Sequence, residues 1–325
     1  MKLSILDSSP LASGKTSADA FSDSKDLAVA GEKLGYTRYW MTEHHDLNGL
    51  AASAPEVLLA YIGAATSTIR LGTGAILLPH YKPFKVAELH HTLATLFPGR
   101  IDLGIGRAPG GSAEVTNALN DNFLQQVYRM PELIDELLSF IDLTDESVTA
   151  SPIPPVKPEA WILGTSAKSA QMAATKGTSY AFGQWMSDTD GLPVIEDYYR
   201  TYAPRNPKDS SQALMTVGAI CAQTTEEAER LAKTLFVWQE QSNVGNGSDG
   251  IPAQVGRQLT ADEKAKFDTF KKKTIVGNPE EVARHIQRLC VNEVMIHTPL
   301  HHIADRIRSY ELIATELGIR KQSSV

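Results

Sequence analysis

Cysteine is nearly missing from this chain of 325 residues, which has only Cys221 and Cys290. They lie far apart and have no His or Cys neighbour at ligand spacing, so neither a disulfide framework nor a structural zinc site is expected. That usage suits a reducing cytoplasm. Basic charge is also short: 31 Lys and Arg face 38 Asp and Glu, a formal net charge of −7. Nucleic acid and anionic membrane are therefore poor candidates for the main partner. No apolar run approaches the roughly 18 residues that a membrane-spanning helix needs. The first ten residues hold one Lys and no long apolar core, unlike a secretory signal. There is no internal repeat. The 42% hydrophobic and 21% charged content is that of an ordinary globular protein with a sizeable core.

What is present is alternation. Apolar, β-branched runs at 3–6, 39–42, 69–75, 101–105, 160–163, 179–182, 214–221 and 293–297 read as strands, and segments of helical period separate them. One of those segments, 122–141, reads as a single helix. Strands that alternate with helices make a parallel sheet, and eight such units in one chain fit a closed (β/α)8 TIM barrel spanning 1–325 as one domain. Residues 241–273 interrupt the pattern between the seventh and eighth strands with a Gly/Asn-rich run and then a Lys/Asp/Glu-rich tract. A stretch this long reads as a mobile lid inserted near the active face. The Pro-rich 151–158 reads as a stiff connector.

Strand ends at the C-terminal face of a barrel carry its chemistry. The second strand runs out into Glu43-His44-His45, an acid and two imidazoles where a proton carrier is useful. A solvated loop or part of a metal site are the competing readings of that triplet. After the fourth strand, Arg107 stands among Gly104, Gly106, Gly110 and Gly111. It is aimed either at an anion or ring carbonyl, or at a salt bridge on the rim. Gly104-Ile-Gly106 is out of register for a dinucleotide fingerprint. Beyond the fifth strand, Gly164 permits a turn and Thr165, Ser166, Lys168 and Ser169 cluster where a helix begins. Such a cluster either binds phosphate at the helix N-terminus or caps the helix. Gly72-Thr-Gly74-Ala75 ends the third strand with small residues that leave room for a flat ring. Trp185 could wall the same pocket or simply pack. His297 ends the last strand and faces the pocket mouth, whereas His301 and His302 start a surface helix. His90 and His91 are adjacent in mid-helix and point apart, so no metal site is expected.

Taken together, these motifs resemble the bacterial luciferase-like family of flavin-dependent oxidoreductases. The resemblance rests on Glu43-His44-His45, Leu71-Gly-Thr-Gly-Ala-Ile-Leu-Leu-Pro79, Phe97-Pro-Gly-Arg-Ile-Asp-Leu-Gly-Ile-Gly-Arg107, the Thr165/Ser166/Ser169 cluster and Val276-Gly-Asn-Pro-Glu-Glu-Val282. It implies a monooxygenase that takes FMN in reduced form, as FMNH2 from a separate reductase. O2 and a small organic substrate would then react through a flavin C4a-hydroperoxide. His44 matches the family's catalytic imidazole, and Arg107 its flavin-phosphate or ring contact. Thr165, Ser166 and Ser169, with Gly164 before them, match the phosphate loop. Gly74–Ala75 matches a non-proline cis peptide beneath the flavin ring. Homodimers form through the helices after strands two and three. Gly106 stands where luciferase catalytic subunits carry Cys, so light emission from a long-chain aldehyde is not implied. An F420-dependent dehydrogenase, or a flavin binder without a reaction, are the alternatives on the same scaffold.

Overall fold

The computed structural model describes residues 1–243 and 250–319. Ten strands make one sheet: β1 (Lys2–Asp7), β2 (Arg38–Met41), β3 (Arg70–Thr73), β4 (Ile76–Leu77), β5 (Ile101–Gly106), β6 (Glu159–Gly164), β7 (Ser179–Gly183), β8 (Ala213–Cys221), β9 (Thr274–Gly277) and β10 (Glu293–His297). The helices are α1 (Ser17–Leu34), α2 (Pro55–Gly63), α3 (Pro83–Leu96), α4 (Ala113–Leu119), α5 (Phe123–Tyr128), α6 (Met130–Ile141), α7 (Ala167–Thr175), α8 (Gly191–Thr201), α9 (Thr225–Asn243), α10 (Ala261–Lys273), α11 (Pro279–Arg288) and α12 (Ile303–Glu316). All pairings between these strands are parallel, in the order β10-β1-β2-β3-β5-β6-β7-β8, and β10 also pairs with β8. The sheet thus closes on itself as an eight-stranded TIM barrel. β4 lies against β5 above β3, and β9 pairs with the second half of β8.

Local chemistry sets the boundaries. Thr16 and Asp19 form a capping box on α1, which ends at Gly35 in the left-handed region at φ 92°. The expected helix over 122–141 is two helices, because the chain breaks at Arg129 just before Pro131. Helix α10 falls where the sequence suggested only a lid. Its apolar pattern is sparse, yet a Thr260–Glu263 capping box starts it and Lys271, Lys272 and Lys273 complement its C-terminal dipole. The insertion is anchored beyond 250: Ile251 bridges to Ala12 in the loop after β1, and α10 packs on α9 and β9. Residues 244–249 of the expected lid lie outside the described residues.

Alternating side chains fill the barrel in layers. The floor is ionic. The Arg38 guanidinium reaches Asp102 and Glu293 at 2.9 Å each, while Arg70 holds Asp102 and sits 3.1 Å from Glu159. Burial, with the neighbouring Asp102 carboxylate adding to it, pushes the Glu159 pKa up. Above the floor, Leu6, Trp40, Trp161, Ala181, Leu214 and Met295 pack together, with the two indoles edge to face at 5.3 Å. Trp40 also donates to Asp102 at 2.9 Å, tying this layer to the ions below.

Replacing Arg38 leaves the buried Glu293 without a counter-charge and Asp102 with Arg70 alone, a change that typically costs about 3–5 kcal/mol. Arg38→Met is expected to lower the urea midpoint by that equivalent, and Glu159→Gln by far less. Equilibrium unfolding of both variants checks the contrast.

Candidate active site

The loop after β2 is held from three sides. Thr42 N–H donates to the Asp7 carbonyl at 2.9 Å, His44 N–H to Ala52 at 2.8 Å and His45 N–H to Gly110 at 2.9 Å. Glu43 turns outward and its side chain is fully buried. Its carboxylate accepts from Tyr81 Oη at 2.5 Å and from Leu77 N–H at 2.9 Å, and pairs with His45 Nε2 at 2.8 Å. That clamp fixes the loop to β4, and the residue between the two outward side chains is turned the other way. His44 Nδ1 meets Thr42 Oγ1 at 3.0 Å, while its Nε2 has no partner among the described residues. Burial, then the neighbouring His45, pushes the His44 pKa down to about 4. His44 is therefore an uncharged imidazole at neutral pH, able to accept a proton or share one.

Small residues lie beside it. The Gly74–Ala75 peptide bond is cis. A Cβ on Gly74 would come 2.9 Å from Leu6 Cδ1 and 3.0 Å from Trp40 Cβ, and one on Gly106 would come 2.9 Å from Ala75 Cβ. Gly183, at the tip of β7, would bring a Cβ to 3.0 Å from Met186 Cε. At each of these strand tips the space a side chain would take is already occupied by its neighbours, so the backbone itself packs closely there.

The pairing of Ile105 with Ile162 sets Arg107 level with Gly164 at neighbouring strand tips. Arg107 is exposed and has no ion pair among the described residues, so the rim salt bridge is not formed. Ser166 and Ser169 cap α7 reciprocally, and Ser169 Oγ also meets Tyr180 Oη at 3.0 Å. A Cβ on Gly164 would lie 2.2 Å from Ser169 Oγ, so only glycine permits this approach. The N–H groups of Ala167 and Lys168 and the Thr165 hydroxyl have no partner among the described residues. Together with Arg107, they offer donors and positive charge to an anion.

Just past the tip of β7, Trp185 packs on the Trp40/Trp161 layer, and its buried Nε1 has no partner among the described residues. Its ring lies 5.0 Å from that of His297, whose Nε2 meets Ser8 Oγ at 3.1 Å. Burial pushes the His297 pKa down to about 4. A separate cleft of about 470 Å3 opens on the outside between the loop after β5 and α4–α5, and none of the expected site residues lines it. Among the described residues, no three His, Cys, Asp or Glu side chains are grouped to hold a metal ion. His90 bonds the Val86 carbonyl at 2.9 Å and His91 that of Ala150 at 2.8 Å, as core histidines do.

A barrel with this cis peptide, this imidazole loop and this strand-tip pattern has a counterpart among known proteins: residues 1–297 match the luciferase-like monooxygenases. The chain belongs to that family. An N-acetyl-S-alkylcysteine monooxygenase of Bacillus subtilis (strain 168) is 36% identical over 332 residues, covering 97% of each chain. Apo-MsnO8 superposes with a TM-score of 0.87 at 30% identity over 98% of each chain. The oxygenating component of a 3,6-diketocamphane monooxygenase of Pseudomonas putida, solved with FMN, shares the fold at a TM-score of 0.69 and 19% identity, covering 98% of this chain and 97% of its own.

In this luciferase-like chain the expected residues His44, Gly74, Ala75, Arg107, Gly164, Thr165, Ser166 and Ser169 all fall at the C-terminal tips of β2, β3, β5 and β6, and Trp185 just past β7. Sequence reasoning missed the Tyr81–Glu43 clamp and the Ser8–His297 pair. Each joins residues distant in the chain, and only strand order brings them together.

Burial lowers the pKa values of His44, His90 and His297 to about 4, against about 6.5 for a free imidazole. The unfolded chain therefore binds protons that the folded one refuses as pH falls from about 6.5 to about 4. Stability should be complete above pH 7 and fall steadily through that window. Urea midpoints measured from pH 4.5 to 8 check the sign, and a flat profile would contradict it.

Proposed function

We propose that this chain is an FMN-dependent monooxygenase that accepts FMNH2 from a separate flavin reductase and uses O2 to place one oxygen atom on a small organic substrate. The observation that carries this reading is the anion site at Arg107 and the α7 N-terminus, where donors and positive charge stand without partners among the described residues, together with the cis Gly74–Ala75 peptide at the third strand tip. A flavin with a phosphate tail matches that charge. Arg107, Thr165 and the first N–H groups of α7 would hold the phosphate, and Gly74–Ala75 and Trp185 would bound the ring. Reduced FMN, when bound, supplies the electrons and the oxygen-activating chemistry. The chain itself binds, orients and dries the site. His44 takes or gives a proton at Nε2, with Thr42 holding its Nδ1 in either tautomer, a role that typically contributes about 10²–10⁴ in rate.

The insertion belongs to this reading as a cover over the mouth, fixed to the loop after β1 through Ile251. Two copies would pair through α2 and α3, and α2 leaves Val57 and Tyr61 exposed. The two free cysteines, Cys221 and Cys290, accord with a reducing cytoplasm.

Titration with FMN, with F420 as the comparison, tests the cofactor by flavin fluorescence. Arg107→Ala should weaken FMN binding by roughly 10- to 150-fold, the range for a charge-assisted hydrogen bond. His44→Ala should keep FMN affinity and lose about 10²–10⁴ in substrate-dependent O2 uptake with supplied FMNH2. A parent protein that ignores FMN would overturn the proposal, and an Arg107→Ala protein with native affinity would overturn the anion assignment alone.

A further inference from the structure

His297 sits at the tip of β10, paired level with Leu6 of β1. It follows Glu293 and Met295 at alternate positions, both of which lie in the interior layers. Its side chain therefore tops the same stack and faces the mouth. Only β1 separates β10 from β2, so His297 and His44 flank one strand tip. They are close enough that charge on His44 disfavours charge on His297.

The two imidazoles are built alike. In each, one ring nitrogen is held by a hydroxyl: His44 Nδ1 by Thr42 at 3.0 Å and His297 Nε2 by Ser8 at 3.1 Å. In each the other nitrogen has no partner among the described residues, and neither is a buried orphan, so both open to the mouth. The core histidines differ. His90 has both nitrogens engaged, by Val86 and Thr73, and His91 leaves a buried Nε2 unpartnered rather than an open one. His297 is 9% exposed, with the Trp185 ring against it at 5.0 Å, so its ring is held in place.

We propose that His297, held by Ser8, is a second contact residue for the flavin ring, presenting Nδ1 to the ring's polar edge alongside the Nε2 of His44. The proposal rests on the FMN reading above. A serine hydroxyl can donate to Nε2 or accept from it, so Nδ1 can serve as acceptor or as donor without moving the imidazole. A flavin needs such a partner, because its N5 accepts a hydrogen bond when oxidised and carries a hydrogen when reduced. A group of fixed polarity would favour one redox state, and a hydroxyl-held imidazole suits both.

The test uses the full chain labelled with 15N in its histidines, with FMN as the probe, added oxidised and then reduced by dithionite. His297→Gln assigns the ring signals, and a crystal structure of the FMN complex gives the contact independently if that variant does not fold. Expected are a shift of the His297 Nδ1 signal on FMN addition, a change of tautomer on reduction that Ser8→Ala abolishes, and Nδ1 within hydrogen-bond distance of the ring. His297→Gln should weaken FMN binding about fivefold, as loss of one neutral hydrogen bond does. If FMN binds and moves the His44 signals but leaves those of His297 unmoved, the inference is overturned and the FMN reading stands. If FMN moves neither, both are overturned.

Discussion

The Arg38 guanidinium lies near the centre of the barrel floor. It comes from β2 and bonds carboxylates on β5 and β10, which are not β2's own neighbours in the sheet. A closed parallel barrel must fill its interior, and here the filling starts with charge. Two arginines pair with three acids, of which Glu159 has its pKa pushed up, and Ser4, Gln212 and Trp40 satisfy further oxygens. Because Asp102 receives the Trp40 indole, the large aromatic layer is fixed directly on the ions. Above that layer Gly74 has no room for a side chain, because a Cβ there would meet Leu6 Cδ1 at 2.9 Å and Trp40 Cβ at 3.0 Å.

The chemistry at the rim depends on a second constraint, the alternation of side chains after β2. Glu43 and His45 are spent on holding the loop: one carboxylate joins Tyr81, Leu77 and His45. His44, between them, is thereby turned toward the mouth. Burial strips it of charge at neutral pH, and a threonine hydroxyl leaves its tautomer free. The imidazole is thus uncharged at neutral pH, and the positive charge nearby belongs to the exposed Arg107.

Much of this was legible beforehand. The eight barrel strands announce themselves by β-branched runs, because burial on both faces demands continuous apolar sequence. Strands β4 (Ile-Leu) and β9 (Thr-Ile-Val-Gly) are of the same composition but too short to stand out. The first is two residues long, and the second follows a lysine run and is held by pairing with β8 rather than by burial of its own. Helix α10 lacked an apolar stripe and showed itself only through its caps. At the candidate site, glycines and hydroxyls beside strand ends marked the Gly74–Ala75 cis peptide and the α7 terminus. The capping and anion readings of Ser166 and Ser169 could not be separated in sequence; the structure shows the two serines engaged as caps, with donors left over beside them.

By itself, then, the order of residues determined the alternating elements and the family motifs at the strand tips, because each depends on neighbours within a few positions. Tertiary structure decided what those residues do to one another. Glu43 became a clamp once Tyr81 was folded beside it. His44 lost its charge once it was enclosed, and Ser8 met His297, 289 positions away, once β10 closed the barrel against β1. Burial and long-range contact arise only when the chain closes, and they set charge and hydrogen bonding at this site.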